Sequence, residues 1–283
     1  MGSRKACIPF AASLSFTSIL WIALTQLDKV LLSKILLLRE YGYFSLVALI
    51  SGSMMILTNP LVQTLLPRMT RLTAQGRIAE MHHLYRNATS FACSILSPLA
   101  AVIAFHAQDL VFAWTGDQEA ADWSRSVLPW YALGSAAAAI GAFPFYLQYA
   151  QGRLRMHMWY SVLSTLLSIP IIVAATVHYG AQGVALTWFG LHLTAFIVWP
   201  AIAHSHFAPG LHSPWTQDMF RIVIVTAAGL LISDPLLKVI ASDNRFDIFL
   251  GLAVCGAVYL TLVAITSRPV TLKLYVLLTK ERT

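Results

Sequence analysis

PFAASLSFTSILWIALTQLDKVLLSKILLL, Pro9 to Leu38, is the stretch that decides the fold. It is long enough to cross a bilayer, yet it carries two adjacent charges, Asp28 and Lys29, inside its apolar run. A charge near the centre of a spanning helix costs about 2.5–3.5 kcal/mol on insertion scales, so such residues face a bundle interior, a watery cavity or a ligand. Neighbouring helical residues point about 100° apart, so Asp28 and Lys29 do not pair with each other. Neither has a charged partner one turn away, which assigns their partners to another helix, water, an ion or a ligand. Ser18, Thr25, Gln26, Lys29 and Ser33 make a polar stripe interrupted by Ile22. Together with Asp28 they are the cavity-lining, substrate-binding candidates. An interfacial placement with Lys29 snorkelling is the competing reading.

The rest of the chain has the same character. Hydrophobic residues make up 58% of the 283, and Asp, Glu, Lys and Arg only 11%. Soluble domains carry about a quarter charged residues, so a soluble globular reading fails. Apolar blocks at 9–33, 43–66, 88–108, 127–149, 157–177, 182–203, 219–240 and 246–266 alternate with short charged connections. Each is near the ~20 residues that cross a hydrocarbon core. The expected fold is all-α, a polytopic membrane bundle of about eight helices.

Net charge is +7, but the cations lie between apolar blocks rather than along one face, so no nucleic-acid partner is implied. Thirteen of the 19 Lys and Arg fall in the N-terminal segment, the second, fourth and sixth connections and the C-terminal tail. Five fall in the others, and Lys29 is in a span. The positive-inside rule then places both termini in the cytoplasm of a multi-pass protein. Arg4 and Lys5 resemble a signal-peptide start, but the run after them is too long and lacks a cleavage site.

Other features read blandly. Arg68, Arg71, Arg77 and Arg86 form a basic cluster with His82 and His83; it is a topology determinant first, and an attractor of anionic headgroups or a lipid pyrophosphate second. His204, His206 and His212, with Asp218 nearby, are expected to be solvated loop residues rather than a metal site. Asp234 before Pro235 reads as a helix-end turn. Cys7, Cys93 and Cys255 are widely separated and read as small core residues. Prolines inside or at the ends of several spans, among them Pro60, Pro98, Pro129, Pro144, Pro170, Pro200 and Pro235, suit a bundle that moves. Gly134 to Gly141, with Ala136 to Ala139 between them, forms a smooth face for close helix packing. No GxSxG, HExxH, Walker A or GxGxxG motif is present, and no cofactor or metal is implied.

Five segments in order, LDKVLLSKILLLREYGYFSL (27–46), PRMTRLTAQGR (67–77), FAWTGD (112–117), YAQGRLRM (149–156) and IPIIVAATVHYGAQGVALTWFG (169–190), resemble the second half of bacterial polysaccharide flippases. These are the O-antigen-type members of the multidrug/oligosaccharidyl-lipid/polysaccharide exporter superfamily. The resemblance covers roughly residues 10 to 205. It implies a six-helix transporter lobe over 1–208 followed by two additional helices and a basic tail over 209–283. It further implies a flippase, not an enzyme, that moves a polyprenyl-pyrophosphate-linked oligosaccharide across the bacterial plasma membrane. The first lobe has no counterpart, so the resemblance implies a partner chain supplying it, self-pairing, or an inactive truncated fragment. Counter-ion acids that some relatives carry in the fifth span are replaced here by Ser161, Ser164, Thr165 and Ser168. An integral-membrane enzyme of lipid-linked glycan assembly and a drug exporter of the same superfamily are the remaining alternatives.

Overall fold

The computed structural model of the chain describes the backbone of residues 2–240 and 244–279, and the side chains of 15–233, 235–240 and 244–266. Arg4, Lys5, Cys7, Asp234 and the basic residues of the C-terminal tail, named above or counted with the cations, lie outside the described side chains. Among the described residues every regular element is a helix. In order these are α1 (Gly2–Ile35), α2 (Leu38–Ala74), α3 (Ile78–Phe105), α4 (Ala107–Thr115), α5 (Gln118–Ser124), α6 (Leu128–Gly141), α7 (Phe143–Ala150), α8 (Arg155–Phe207), α9 (His212–Ile240) and α10 (Arg245–Thr279).

Among the described residues, seven helical segments are long and apolar enough to cross a membrane, with α6 and α7 together forming one of them. The longest, α8, is two spans. Its backbone leaves the helical region at Gly180, with φ 57° and ψ −143°, a combination that only glycine adopts without strain. Beyond the break the chain reverses. Tyr160 and Trp199 stack with ring centroids 3.9 Å apart, whereas a straight helix would separate them by roughly 60 Å. The chain is thus an all-α polytopic membrane bundle, with eight segments of spanning length among the described residues.

Packing centres on α3, which meets α2, α6, α9 and α10 and has most of its length buried. Lipid tails are as apolar as leucine, so close fit and interhelical hydrogen bonds, not the hydrophobic effect, bring such helices together. The small-residue face of α6 does this. A methyl group built on Gly134 would lie 2.5 Å from the Trp188 ring and 3.0 Å from the Phe189 Cα, so the α6 backbone rests directly on the second half of α8. Cys93 and Cys255 are buried and unbridged.

The prolines divide into two groups. Pro129 and Pro144 stand in the first turns of α6 and α7, where the missing N–H has no partner to lose. Pro60, Pro67, Pro98, Pro170, Pro200 and Pro235 are carried inside helices. Among these prolines, only Pro144 stands at a break within a spanning segment, the α6–α7 junction.

The last two helices lie on α3 and α4. Ser233 and Tyr259 join α9 to α10 through a 2.7 Å hydrogen bond. Arg86 on α3 donates to both carboxylate oxygens of Asp218 on α9, at 2.6 and 3.0 Å. Arg245, opening α10, donates to the carbonyls of Ala113 and Trp114 at the end of α4. The main apolar core runs across the boundary at 208, since Trp215, Met219, Ile222 and Val263 belong to it.

The connections sort to two ends. At one, the Phe207 carbonyl accepts from Gln151 at 3.0 Å and bonds the His82 ring at 3.1 Å, joining the second, fourth and sixth connections. At the other, Arg39 pairs with Glu119, and Arg245 meets the end of α4. The basic connections of the sequence thus share one end.

Candidate functional site

A cavity of ≈ 440 Å³ lies between α1, the α6–α7 junction and both halves of α8. The first half of α8 presents Ser161, Ser164, Thr165 and Ser168 to it. These sit at i, i+3, i+4 and i+7, one face of a helix. The opposite face of the same turns, Leu163, Leu166 and Leu167, is exposed. Polar-in and apolar-out is the arrangement a spanning helix adopts when it lines a cavity. Thr165 and Ser168 are 7% and 3% exposed.

The second half of α8 supplies His192 and Trp199, and the α6–α7 junction supplies Phe145 and Tyr146. His157 packs against Phe145 with centroids 4.6 Å apart. The His192 ring bonds the Trp188 carbonyl at 2.9 Å. Trp199 Nε1 and His157 Nδ1 are buried with no hydrogen-bond partner among the described residues. Such orphaned groups are uncommon in a settled interior. No Asp, Glu, Lys or Arg lines the cavity.

Of the six residues proposed from the sequence on α1, Ser18 alone lines this cavity. Asp28 is 3% exposed and turned into the bundle. Its Oδ2 accepts from the Tyr131 hydroxyl on α6 at 2.6 Å, and its Oδ1 from the Lys29 backbone N–H at 2.7 Å. Lys29 is half-buried and donates to Gln26 Oε1 at 3.1 Å. Thr25 donates to the Trp21 carbonyl, and Ser33 to the Val30 carbonyl. The six candidates therefore separate into one cavity residue, one buried acid and a set bonded along its own helix.

The basic cluster separates too. Arg68, Arg71 and Arg77, with Gln75, Glu80 and His83, surround a second hollow of ≈ 220 Å³. Arg77 is paired there with Glu80. Arg86 is drawn away to Asp218, one helix turn deeper in α3.

The histidines correct the expectation of solvated loop residues. His204 is fully buried; its Nε2 meets the Tyr85 hydroxyl at 2.8 Å and its Nδ1 the His212 Nδ1 at 3.2 Å. The helix of α8 continues three residues past His204, so the ring lands against α3 and α9 instead of solvent. His206 is exposed and bonds its own helix at the Ile202 carbonyl. Asp218 is committed to Arg86, and no group of three or more metal-ligating side chains occurs among the described residues.

In the sequence the four hydroxyls of α8 stand out only as replacements for acids in the fifth span. Their helical spacing inside an apolar run was the signal. Tyr131, Tyr160 and Trp199 carried none, because an aromatic in a membrane span reads first as packing.

No protein-family model matches the chain, and neither does any curated protein. Among solved structures it is similar to the lipid II flippase MurJ in an inward closed conformation, with a TM-score of 0.68 and 13% identity. The match covers 88% of this chain and 52% of that one, so the chain spans about half the length of the flippase it resembles. At this identity the likeness is one of fold: over 88% of its length this multi-pass membrane chain has a helix arrangement similar to that of the matched protein.

Proposed function

We propose that the chain forms one lobe of a flippase for a lipid-linked glycan precursor, moving a polyprenyl-pyrophosphate oligosaccharide across the bacterial plasma membrane. The observation that carries this reading is the fold likeness to a lipid II flippase over about half of that protein. The spans of 1–208 correspond to a six-helix lobe, and α9 and α10 are the two added helices. The crowding of Arg68, Arg71, Arg77, Arg86 and Arg153 at one end supports a cytoplasmic location for that end.

Alternating access needs two bodies rocking about a shared site. Gln26 and Ser33 are exposed on α1, and Lys29 is half-buried beside them. Polar and charged groups of this kind facing lipid are costly, which supports a second body covering α1. A first-lobe chain or a second copy would supply it.

The test is translocation. The chain is reconstituted in liposomes with a fluorescent lipid-linked oligosaccharide, and outer-leaflet label is destroyed with a membrane-impermeant reductant. Protection should be unchanged by the chain alone and should collapse when a first-lobe protein is co-reconstituted. Failure to move the substrate in every combination would overturn the reading.

A further inference from the structure

The cavity between α1 and α8 is lined by α1, α2, α6, α7 and α8 of this one chain. Its walls are of two kinds. Tyr160 and Trp199 form a stacked pair, their planes 15° apart, with Phe145 and Tyr146 beside them. Facing into the same space are the hydroxyls of the α8 stripe. Thr165 and Ser168 are more than nine-tenths buried, and neither makes a hydrogen bond among the described residues. Serine and threonine in helix interiors ordinarily bond the carbonyl one turn back. Thr176, eight residues after Ser168 on the same helix, does so at 2.6 Å. Two buried hydroxyls that forgo this bond and line a hollow are available to something in the hollow.

We infer that this cavity is a binding site for a neutral sugar residue of the lipid-linked glycan, held between the Tyr160–Trp199 aromatic wall and the Ser161–Ser168 hydroxyl stripe. The inference rests on the flippase reading for the source of the sugar, but the site is complete within this chain. Its volume, ≈ 440 Å³, lies within the roughly 300–1,000 Å³ typical of small-molecule sites. The chemistry selects the ligand class. A pyrophosphate or uronic acid would be buried among groups with no compensating cation, which strongly disfavours it. A bare isoprenoid chain would leave the Thr165 and Ser168 hydroxyls unpaired, so it gains nothing from them. A pyranose has an apolar C–H face that lies on the electron-rich face of an aromatic ring. Its equatorial hydroxyls reach sideways to hydrogen-bonding groups. Aromatic wall and hydroxyl stripe meet those two aspects of one ring.

The experiment measures binding without transport. The full chain in nanodiscs is titrated with a radiolabelled neutral citronellyl glycoside, with empty nanodiscs subtracted. Citronellol, citronellyl phosphate and sodium chloride serve as competitors. Saturable glycoside binding is expected, with no competition from citronellyl phosphate or sodium and weak competition from citronellol. Thr165→Val with Ser168→Ala should weaken glycoside binding about tenfold while leaving the melting temperature close to that of the parent chain. Trp215→Phe, a buried indole elsewhere, should leave binding unchanged.

Equal competition by citronellol would make the cavity an isoprenoid site and overturn the inference. Competition by sodium would make it an ion site and overturn it as well. So would glycoside binding that survives the double substitution, or no binding above empty nanodiscs. Because no translocation is read, glycoside binding by a chain that moves no substrate in any combination would refute only the flippase reading, and flipping without glycoside binding only this one.

Discussion

The Tyr131 hydroxyl donates to Asp28 Oδ2 at 2.6 Å, joining α1 to α6 in the buried interior. An acid in this position is held by a neutral donor rather than by a cation, and the Lys29 side chain beside it points elsewhere, to Gln26. A hydrogen bond to a charged group contributes about 1.5–3 kcal/mol, and removing one partner leaves the other desolvated. Tyr131→Phe should therefore lower the melting temperature of the purified chain by several degrees, and Asp28→Asn should lower it less, because the amide oxygen still accepts. A Tyr131→Phe protein as stable as its parent would show that the bond contributes nothing.

That pair marks where sequence reading stops. Eight apolar blocks were legible because the bilayer imposes one length and one polarity on every span. The reversal at Gly180 was placed correctly between the fifth and sixth blocks, where glycine stands between two apolar runs. The stripe on α1 was legible as a stripe, but its partners were not. Which helix lies against Asp28 depends on the packing of Gly134 onto Trp188 and Phe189, which seats α6 beside α1 and α8. No local pattern encodes that contact. His204 was read as solvated for the same reason, since its burial depends on Tyr85, 119 positions away in sequence.

The Arg86–Asp218 pair gives a second stability test. It is partly buried and bidentate, which separates it from surface ion pairs of negligible worth. Single substitutions Arg86→Ala and Asp218→Ala should each destabilise by about 2–4 kcal/mol, since each strands a half-buried charge. The double substitution should cost much less than their sum. Additive effects in thermal unfolding would mean that the two side chains do not couple and that α9 is held by its apolar face alone.

Gly180 makes a covalent prediction about topology. Its positive φ and extended ψ strain any other residue by about 1–3 kcal/mol, so Gly180→Ala should reduce the folded yield in detergent, read as the monodisperse peak on size exclusion. Because α8 doubles back there, reporter fusions after Gly152 and after Gly210 should report one side of the membrane, and fusions after Gly116 and after Gly180 the other. Opposite signals from the Gly152 and Gly210 fusions would mean that α8 does not reverse.

Lys29 tests the transport reading most directly. It is half-buried, its Nζ held at 3.1 Å by Gln26, a bond that a stronger anion can displace. It lies outside the α1–α8 cavity. If the chain is one lobe of a two-lobe flippase, as proposed, a cation there would attract the substrate's pyrophosphate electrostatically, and a guanidinium would do so as well as an ammonium. Lys29→Arg should keep most glycan export in a strain lacking its own flippase, whereas Lys29→Ala should lower it about tenfold at equal expression on a blot. Lys29→Cys, in a background without Cys7, Cys93 and Cys255, should react with a small water-soluble thiol reagent, as a residue facing an aqueous cavity must. Full export by Lys29→Ala together with complete protection of Lys29→Cys would return this lysine to the lipid interface, with its ammonium snorkelling toward the headgroups.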